Sequence, residues 1–316
     1  MKIIIPGGTG QVGTVLARHF HEKGHQVIVL SRAPDRDLAP WWAIEWDGAT
    51  LGLWAHQIDG ADVIINLAGR SVNCRYHEKN RRAIMESRVN STRIVGQAIA
   101  QAQRPPRVWL QASTATIYAH RYDAPNDEAA GILGGDEPDA PDTWRFSIDV
   151  AKAWEKTLDE AVTPHTRKVA MRSAMTMSPD RDGIFAVLRG LARRGLGGRA
   201  GDGRQFVSWI HERDFIRAVE FLMERNDLAG AVNLASPNPI PYVEFMRELR
   251  HACGGIGAKI ALPASKWMIE IGTRLMRTES ELVLKSRRVV PGRLLKAGFA
   301  FEFPHWRDAA ADLCRR

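Results

Sequence analysis

The sequence is poor in cysteine, with only Cys74, Cys253 and Cys314 among its 316 residues. Their number is odd, they are far apart in the chain and no CxxC occurs, which argues against a disulfide framework and a thiolate zinc site. No apolar run approaches the ~18 residues that a membrane-spanning helix needs. The N-terminus also lacks the pattern of a secretory signal. We therefore expect a cytoplasmic protein with free thiols, no bound metal and no membrane partner.

Sequence motifs of nucleic-acid-binding proteins are also absent. The formal net charge is +8, from 44 basic and 36 acidic residues, but the basic residues are spread along the chain rather than gathered in one arm, which argues against nucleic acid as a partner. The densest basic cluster is interleaved with glycines and comprises Arg189, Arg193, Arg194, Arg199 and Arg204. Such a cluster suits contact with an anion. We expect a small-molecule substrate, and the charge leaves an anionic one open.

Short apolar runs alternate with helical periodicity from the first residues onward. The pattern predicts strands at 2–6, 26–30, 62–67, 107–111 and 168–172, with helices at 10–23, 80–101 and 143–160. This alternation is typical of an α/β fold, a doubly wound parallel sheet of the Rossmann type. From residue 179 the pattern becomes mixed. We therefore expect a nucleotide-binding domain at 1–178 and a smaller substrate-binding lobe at 179–316, with a strand near 231–235 returning to the sheet.

The chain opens with MKIIIPGGTGQVG, a strand that runs directly into a glycine-rich turn and a helix. Gly8, Gly10 and Gly13 satisfy GxGxxG, and Gly7, Gly10 and Gly13 equally satisfy GxxGxxG. Such glycines permit a tight turn, the approach of a diphosphate and close helix–strand packing. The amide groups at the helix N-terminus then bind the phosphates. In this strand–turn–helix context the motif predicts a dinucleotide site.

Ser31 and Arg32 stand about twenty residues beyond this turn, where an NAD-binding protein carries an acid for the ribose 2′-hydroxyl. A guanidinium and a hydroxyl would instead bind a 2′-phosphate. The sequence therefore predicts NADP as the cofactor. The alternative is that Arg32 is simply an exposed arginine in the turn before Pro34.

Several stretches give the chain a resemblance to a known family. With GGTGQVG, VLSR, NLAG and QASTATIY it resembles the extended short-chain dehydrogenase/reductases. With GDGRQFVSWIHERD, VNLASPNPIPYVEF and RVVPGRLLKAGFAF it resembles an atypical subgroup, the NAD-dependent epimerase/dehydratase-like (epimerase family) proteins with a C-terminal domain of unknown function.

This resemblance implies a role for individual residues. It places Gly7, Thr9, Gly10, Gln11 and Val12 along the pyrophosphate, Ser31 and Arg32 at the 2′-phosphate, and Asp47 near the adenine. It places Leu67, Ala68 and Gly69 beside the nicotinamide ribose, Ser173 near the nicotinamide, and Ser113 and Thr114 where a hydroxyl binds the substrate oxygen. It also implies that Arg88 contacts the cofactor or the substrate.

The resemblance also shows a departure. The wider family uses Tyr-x-x-x-Lys, in which the lysine lowers the pKa of the tyrosine that transfers the proton. None of the four tyrosines has a lysine four places on. Lys152 matches the lysine and could hold the ribose, but Ile148 stands in the tyrosine position. Tyr118, His211, a water molecule or the substrate could supply the proton, although structural roles are the simpler expectation for the two side chains.

Two functions remain open from the sequence. The first is an NADP(H)-dependent oxidoreductase or epimerase that acts on a small polar substrate, with Thr114, Lys152 and Tyr118 as candidate catalytic residues. The second is a non-catalytic NADP(H)-binding regulator or redox sensor, which the loss of the tyrosine favours. Either could be a monomer or a homodimer.

Overall fold

A parallel sheet forms the centre of the computed structural model, which describes residues 1–33, 40–138, 140–180, 183–264 and 284–316. Its strands are β1 (Lys2–Pro6), β2 (Gln26–Ser31), β3 (Trp42–Glu45), β4 (Val63–Asn66), β5 (Val108–Thr114), β6 (Arg167–Ser173) and, later in the chain, β10 (Gly230–Leu234). The order is β10-β6-β5-β4-β1-β2-β3, and each neighbouring pair is parallel. The predicted doubly wound α/β fold is confirmed.

Helices cover both faces of the sheet. They are α1 (Gln11–Glu22), α2 (Glu78–Gln101), α3 (Asp142–Glu160) and α5 (Glu212–Glu224). Successive residues of a strand point to opposite faces, so that Ile3 and Ile5 belong to the core that includes Phe215 of α5, while Ile4 belongs to the core that includes Ile94 of α2. Burial on both faces explains why β1 is an unbroken apolar run.

The strand expected near 231–235 is β10, which pairs with β6 and extends the sheet beyond residue 178. Between these two strands lie β7 (Met175–Met177), α4 (Ile184–Arg193), β8 (Phe206–Val207) and β9 (Trp209–His211). After β10 come β11 (Ile240–Pro241), α6 (Tyr242–Cys253), α7 (Ile256–Lys259), α8 (Gly292–Lys296) and α9 (Trp306–Arg315). The chain therefore leaves the sheet, returns for one strand and leaves again.

A separate core holds this smaller lobe together. Phe185 of α4, Phe245 of α6 and Trp306 of α9 belong to it, and the rings of Phe245 and Trp306 stack at 4.0 Å. Packing of α6 against α9 brings Cys253 and Cys314, which are distant in sequence, to an Sγ–Sγ distance of 3.2 Å as free thiols. Among the described residues, no helix is both long and apolar enough to cross a bilayer.

Candidate active site

The turn between β1 and α1 and the start of the helix contain three glycines, Gly7, Gly8 and Gly13, at which a Cβ would lie less than 3.0 Å from another atom of the protein. Gly7 has φ +76°, and a Cβ there would lie 2.6 Å from Cα of Ala68. A Cβ on Gly13 would lie 2.5 Å from Cα of Gly8, which is far inside contact distance. These glycines let α1 start directly against the end of the sheet, so that its N-terminus faces the opening above β1 and β4.

Gly10 has a different environment. It precedes α1 with an ordinary φ of −74°, and the nearest described atom to a Cβ there would be the Gly7 oxygen at 3.7 Å. Neither the backbone nor the packing of the described residues therefore demands a glycine at this position. No side chain caps the helix and its first turn contains no acid, while the buried Nε2 of Gln11 has no hydrogen-bond partner in the described part of the chain. The free amides and the helix dipole make this end of α1 suited to an anion.

Polar side chains border this opening at the end of β2. The Thr9 and Ser31 hydroxyls lie 3.3 Å apart, and Ser31 Oγ accepts a hydrogen bond from the Ala33 amide. Arg32 is exposed, and the structure gives it no hydrogen bond or ion pair within the described residues. A guanidinium and two hydroxyls at the end of β2 fit a phosphate better than a ribose diol.

Other residues that the sequence predicts to contact the cofactor lie at the same edge of the sheet. Asp47 follows β3, where its exposed carboxylate accepts hydrogen bonds from the Thr50 hydroxyl and from the Ala49 and Thr50 amides, which lower its pKa. Leu67, Ala68 and Gly69 follow β4, and the Ala68 amide donates to Asn66 Oδ1. Val12 packs against the core beneath α1, and Ser173 ends β6.

A cavity of about 130 Å³ opens beside the end of β5, between α2 and α3. Its apolar and aromatic walls are Val72, Tyr76, Ile84, Phe146, Val150 and Trp154. Its polar lining is Arg88, Thr114, Thr116, Ser147 and Arg287. The structure therefore brings together two of the expected site residues, Thr114 and Arg88, with side chains from the start of α3 and from the C-terminal lobe.

The face of α3 toward this cavity differs from the face expected from the sequence. Ile148 is fully buried, and its Cδ1 lies 2.8 Å from where a Cβ on Gly134 would be. Ser147, about 100° around the helix, lines the cavity instead. Lys152 is not among the lining residues, and its Nζ lies 3.3 Å from where a Cβ on Gly135 would be. One turn beyond Ser147 is the fully buried Ala151, so that this face carries neither the tyrosine nor the lysine of the wider family.

Tyr118 and Ser113 belong to a buried network beneath the site. The Tyr118 hydroxyl donates to Asn233 Oδ1 and accepts from Arg172 Nη1, both at 2.9 Å. Arg172 also forms a two-point ion pair with Glu155, whose Oε1 accepts from Ser113 Oγ at 2.5 Å. Burial raises the pKa of Tyr118. These contacts engage both hydroxyls in hydrogen bonds within the protein.

His211 and Trp209 likewise have structural surroundings. His211 is completely buried, stacks on Phe303 at 3.9 Å and accepts the Arg213 amide at Nδ1, which caps α5. Trp209 is also fully buried and packs at 5.0 Å against Trp306.

Sequence reasoning assigned no site role to Tyr76 and interpreted Arg287 as part of a solvated basic cluster, but both line the cavity. Tyr76 lies in the segment between β4 and α2, close enough to interact electrostatically with Arg88. The scarcity of tyrosine and the position of Tyr76 just after NLAG were the only available signals. Arg287 comes from the C-terminal lobe, and its Nε donates to Thr116 Oγ1 at 3.2 Å. No local pattern could connect it with β5.

Comparison with known proteins identifies the family of this chain. Residues 3–140 match the model of the NAD dependent epimerase/dehydratase family, and residues 264–313 match a domain of unknown function, DUF1731. The chain is 30% identical over 317 residues to the epimerase family protein SDR39U1 of Bos taurus, with 99% of each chain covered. The chain belongs to the epimerase family. The family resemblance stated from the sequence is confirmed.

Solved structures of two related proteins are similar in fold to this epimerase-family chain. The human epimerase family protein SDR39U1, crystallised with NADPH, matches over 100% of both chains with a TM-score of 0.85 and 27% identity. The nucleoside-diphosphate sugar epimerase of Corynebacterium glutamicum matches 99% of this chain and 58% of its own, with a TM-score of 0.76 and 25% identity.

Proposed function

We propose that this epimerase-family protein is an NADP(H)-dependent oxidoreductase or epimerase acting on a small polar substrate. The observation that carries the proposal is the open space at Gly10, before a helix N-terminus that has no cap and no acid. That space fits a diphosphate, with Gly7, Thr9, Gln11 and Val12 around it. The NADPH in the human relative's structure supports the same cofactor.

Arg32 selects the phosphorylated cofactor in this proposal. It is exposed at the end of β2, next to Ser31 and Thr9, and Asp47 after β3 is turned toward its own loop. Leu67, Ala68 and Gly69 pass the nicotinamide ribose, and Ser173 ends β6 at the nicotinamide. These placements follow the strand ends, where ligands of open α/β sheets bind.

The reacting groups lie where the end of β5 meets the cavity. When bound, NADPH supplies a hydride to a carbonyl carbon, or its oxidised form accepts one. The Thr114 hydroxyl holds the substrate oxygen. Tyr76 lines the same cavity and is the phenol that we assign as the proton donor, since Tyr118 is tied into the network beneath. The guanidinium of Arg88 lies close enough to Tyr76 to interact with it electrostatically.

Replacing Arg32 with alanine tests the choice of cofactor. Because a hydrogen-bonded charge pair contributes about 1.5–3 kcal/mol, Arg32→Ala should weaken NADPH binding about 10- to 100-fold and leave NADH binding unchanged. Titration calorimetry of both cofactors measures this. Arg93→Ala, which removes an exposed arginine of α2, is the matched control. Equal affinity of the unmodified protein for NADPH and NADH would refute the role of Arg32.

Replacing Tyr76 with phenylalanine tests turnover. General acid catalysis contributes about 100-fold or more, so Tyr76→Phe should slow the oxidation of NADPH by a small carbonyl substrate about 100-fold, whereas Tyr122→Phe, at an exposed tyrosine, should not. The absorbance of the reduced nicotinamide reports the rate. A Tyr76→Phe protein as fast as the unmodified one would remove Tyr76 from the mechanism.

The second candidate is a regulator or redox sensor that binds NADP(H) without turnover. The lining residues of α3, which are Phe146, Ser147, Val150 and Trp154, include no tyrosine–lysine pair, and this favours the second candidate. Tight NADPH binding without turnover of any member of a broad panel of carbonyl compounds would support this function over the first.

A further inference from the structure

Arg88 has an unusual position for a charged side chain. Its Nη1 donates to the carbonyl oxygens of Arg70 at 3.0 Å and Ile84 at 3.1 Å, and its guanidinium lies 5.0 Å from the centre of the Trp154 ring. Within the described residues its Nε and Nη2 donate to no group, and no carboxylate pairs with it. Burial lowers its pKa to about 10, so Arg88 is still a cation at neutral pH.

A partly buried cation without a counter-ion is costly. Removing a guanidinium from water is compensated only when an anion or a full set of acceptors replaces the water. The two carbonyl oxygens use one nitrogen of a group that has five N–H donors. The remaining donors, on Nε and Nη2, belong to a side chain that lines the cavity. A ligand oxygen bound in the cavity would supply the acceptors that these donors lack.

A second arginine lines the cavity, and its described lining contains no acidic side chain. Arg287 lines it from the C-terminal lobe, whereas no aspartate or glutamate is among the lining residues that the structure describes. The Arg88 guanidinium at a small cavity with mainly apolar walls concentrates positive potential there, because the walls screen charge poorly. Such a site favours an anion that also carries apolar surface.

The size of the cavity limits which anions can fit inside it. About 130 Å³ approaches the ~150 Å³ that holds a benzene molecule, whereas a nucleoside diphosphate is several times larger. A planar carboxylate matches the fork of an arginine side chain in a two-point contact. The apolar side chains Ile84, Val150 and Trp154 then remain for a short hydrocarbon group.

We propose that the cavity beside Thr114 binds a small carboxylic acid with a branched or aromatic hydrocarbon group, its carboxylate held by Arg88. This inference rests on the proposed function, because the acid becomes a substrate only if a reducible or oxidisable carbon reaches the nicotinamide beside Thr114. It names the substrate class: short oxo or hydroxy acids rather than nucleotide sugars.

Unreactive probes test binding separately from turnover. With the full-length protein saturated with NADPH, titration calorimetry compares 4-methylpentanoate, 4-methylpentanamide and UDP-glucose. We expect the acid to bind at least about tenfold more tightly than the amide, which has the same shape without the charge, and UDP-glucose to bind more weakly than either. Equal binding of acid and amide, or tighter binding of UDP-glucose, would overturn the inference.

Variants assign the effect to Arg88. Arg88→Gln should remove the preference for the acid and leave NADPH affinity unchanged, while Arg82→Gln, at an exposed arginine of the same helix, should change neither. Ser147→Asp keeps Arg88 but places a carboxylate in the cavity lining, and it too should remove the preference if Arg88→Gln fails to fold. Loss of NADPH binding in Arg88→Gln would assign Arg88 to the cofactor instead.

The failure of the two proposals can be distinguished. A protein that does not bind NADPH contradicts the proposed function. A protein that binds NADPH but does not discriminate the acid from the amide contradicts only the assignment of the substrate class.

Discussion

Replacing Gly10 with alanine should weaken NADPH binding by about 1000-fold while leaving the protein folded. The added Cβ would occupy space that the described residues leave open before α1, where the cofactor diphosphate must approach the helix amides. Overcrowding costs about 1–3 kcal/mol, and lost hydrogen bonds to a charged phosphate cost about 1.5–3 kcal/mol. The sum of about 4 kcal/mol corresponds to three tenfold steps in affinity.

Gly13→Ala is the matched contrast. Its Cβ would lie 2.5 Å from Cα of Gly8, so that this variant should lose about 1–3 kcal/mol of unfolding free energy even without a ligand. Urea unfolding of the apoprotein should therefore separate the two: Gly10→Ala close to the unmodified protein and Gly13→Ala clearly destabilised. A Gly10→Ala protein that binds NADPH with unchanged affinity would show that the diphosphate does not lie at the N-terminus of α1.

The free energy of unfolding should fall by about 3 kcal/mol between pH 7 and pH 4 because of His211 alone. Burial lowers the pKa of His211 to about 4, against the usual 6.5, although Asp312 at 3.2 Å opposes this change. Below pH 6.5 the unfolded chain takes up a proton at this residue and the folded protein does not. Stability from His211 is therefore complete above pH 6.5 and is lost as the pH falls toward 4. Each tenfold difference in proton affinity between the two states corresponds to about 1.4 kcal/mol.

His211→Asn isolates this contribution. Asparagine can still accept the Arg213 amide as a helix cap, but it does not titrate. The loss of unfolding free energy from pH 7 to pH 4 should be smaller in this variant by about 3 kcal/mol, measured by urea unfolding at each pH. His56→Asn, which changes an exposed histidine, should retain the full pH dependence. An identical pH profile for His211→Asn and the unmodified protein would contradict the low pKa.

The first half of the fold could be predicted because its signals are local. The run Lys2–Pro6, the glycines behind it and the apolar periodicity of α1 lie within 22 residues. Each strand buried on both faces must be apolar throughout, and the turn into a helix must contain glycine wherever backbones touch. Residues close in sequence thus determined the dinucleotide-type opening, and Ser31 and Arg32, in the place of the acid of NAD-binding proteins, indicated the phosphorylated cofactor.

The cavity could not be predicted in the same way, because its walls come from distant parts of the chain. Tyr76, Thr114, Ser147 and Arg287 line it together, although more than two hundred positions separate the first from the last. Which face of α3 turns toward the cavity could also not be predicted from the local sequence. Ser147 and Ile148 are adjacent in sequence, and only packing against Gly134 turns Ile148 inward and leaves Ser147 on the cavity.

The sequence by itself therefore determined the sheet, the glycine turn and the kind of charge beside it, since these depend on period and on the conformations that each residue allows. Only the tertiary structure decided which hydroxyls are hydrogen-bonded in a buried network, as those of Ser113 and Tyr118 are, and which residues line the cavity, as Thr114 does. The physical reason is that a hydroxyl or guanidinium takes its role from the groups around it. Those groups are assembled by long-range packing, which no local pattern records.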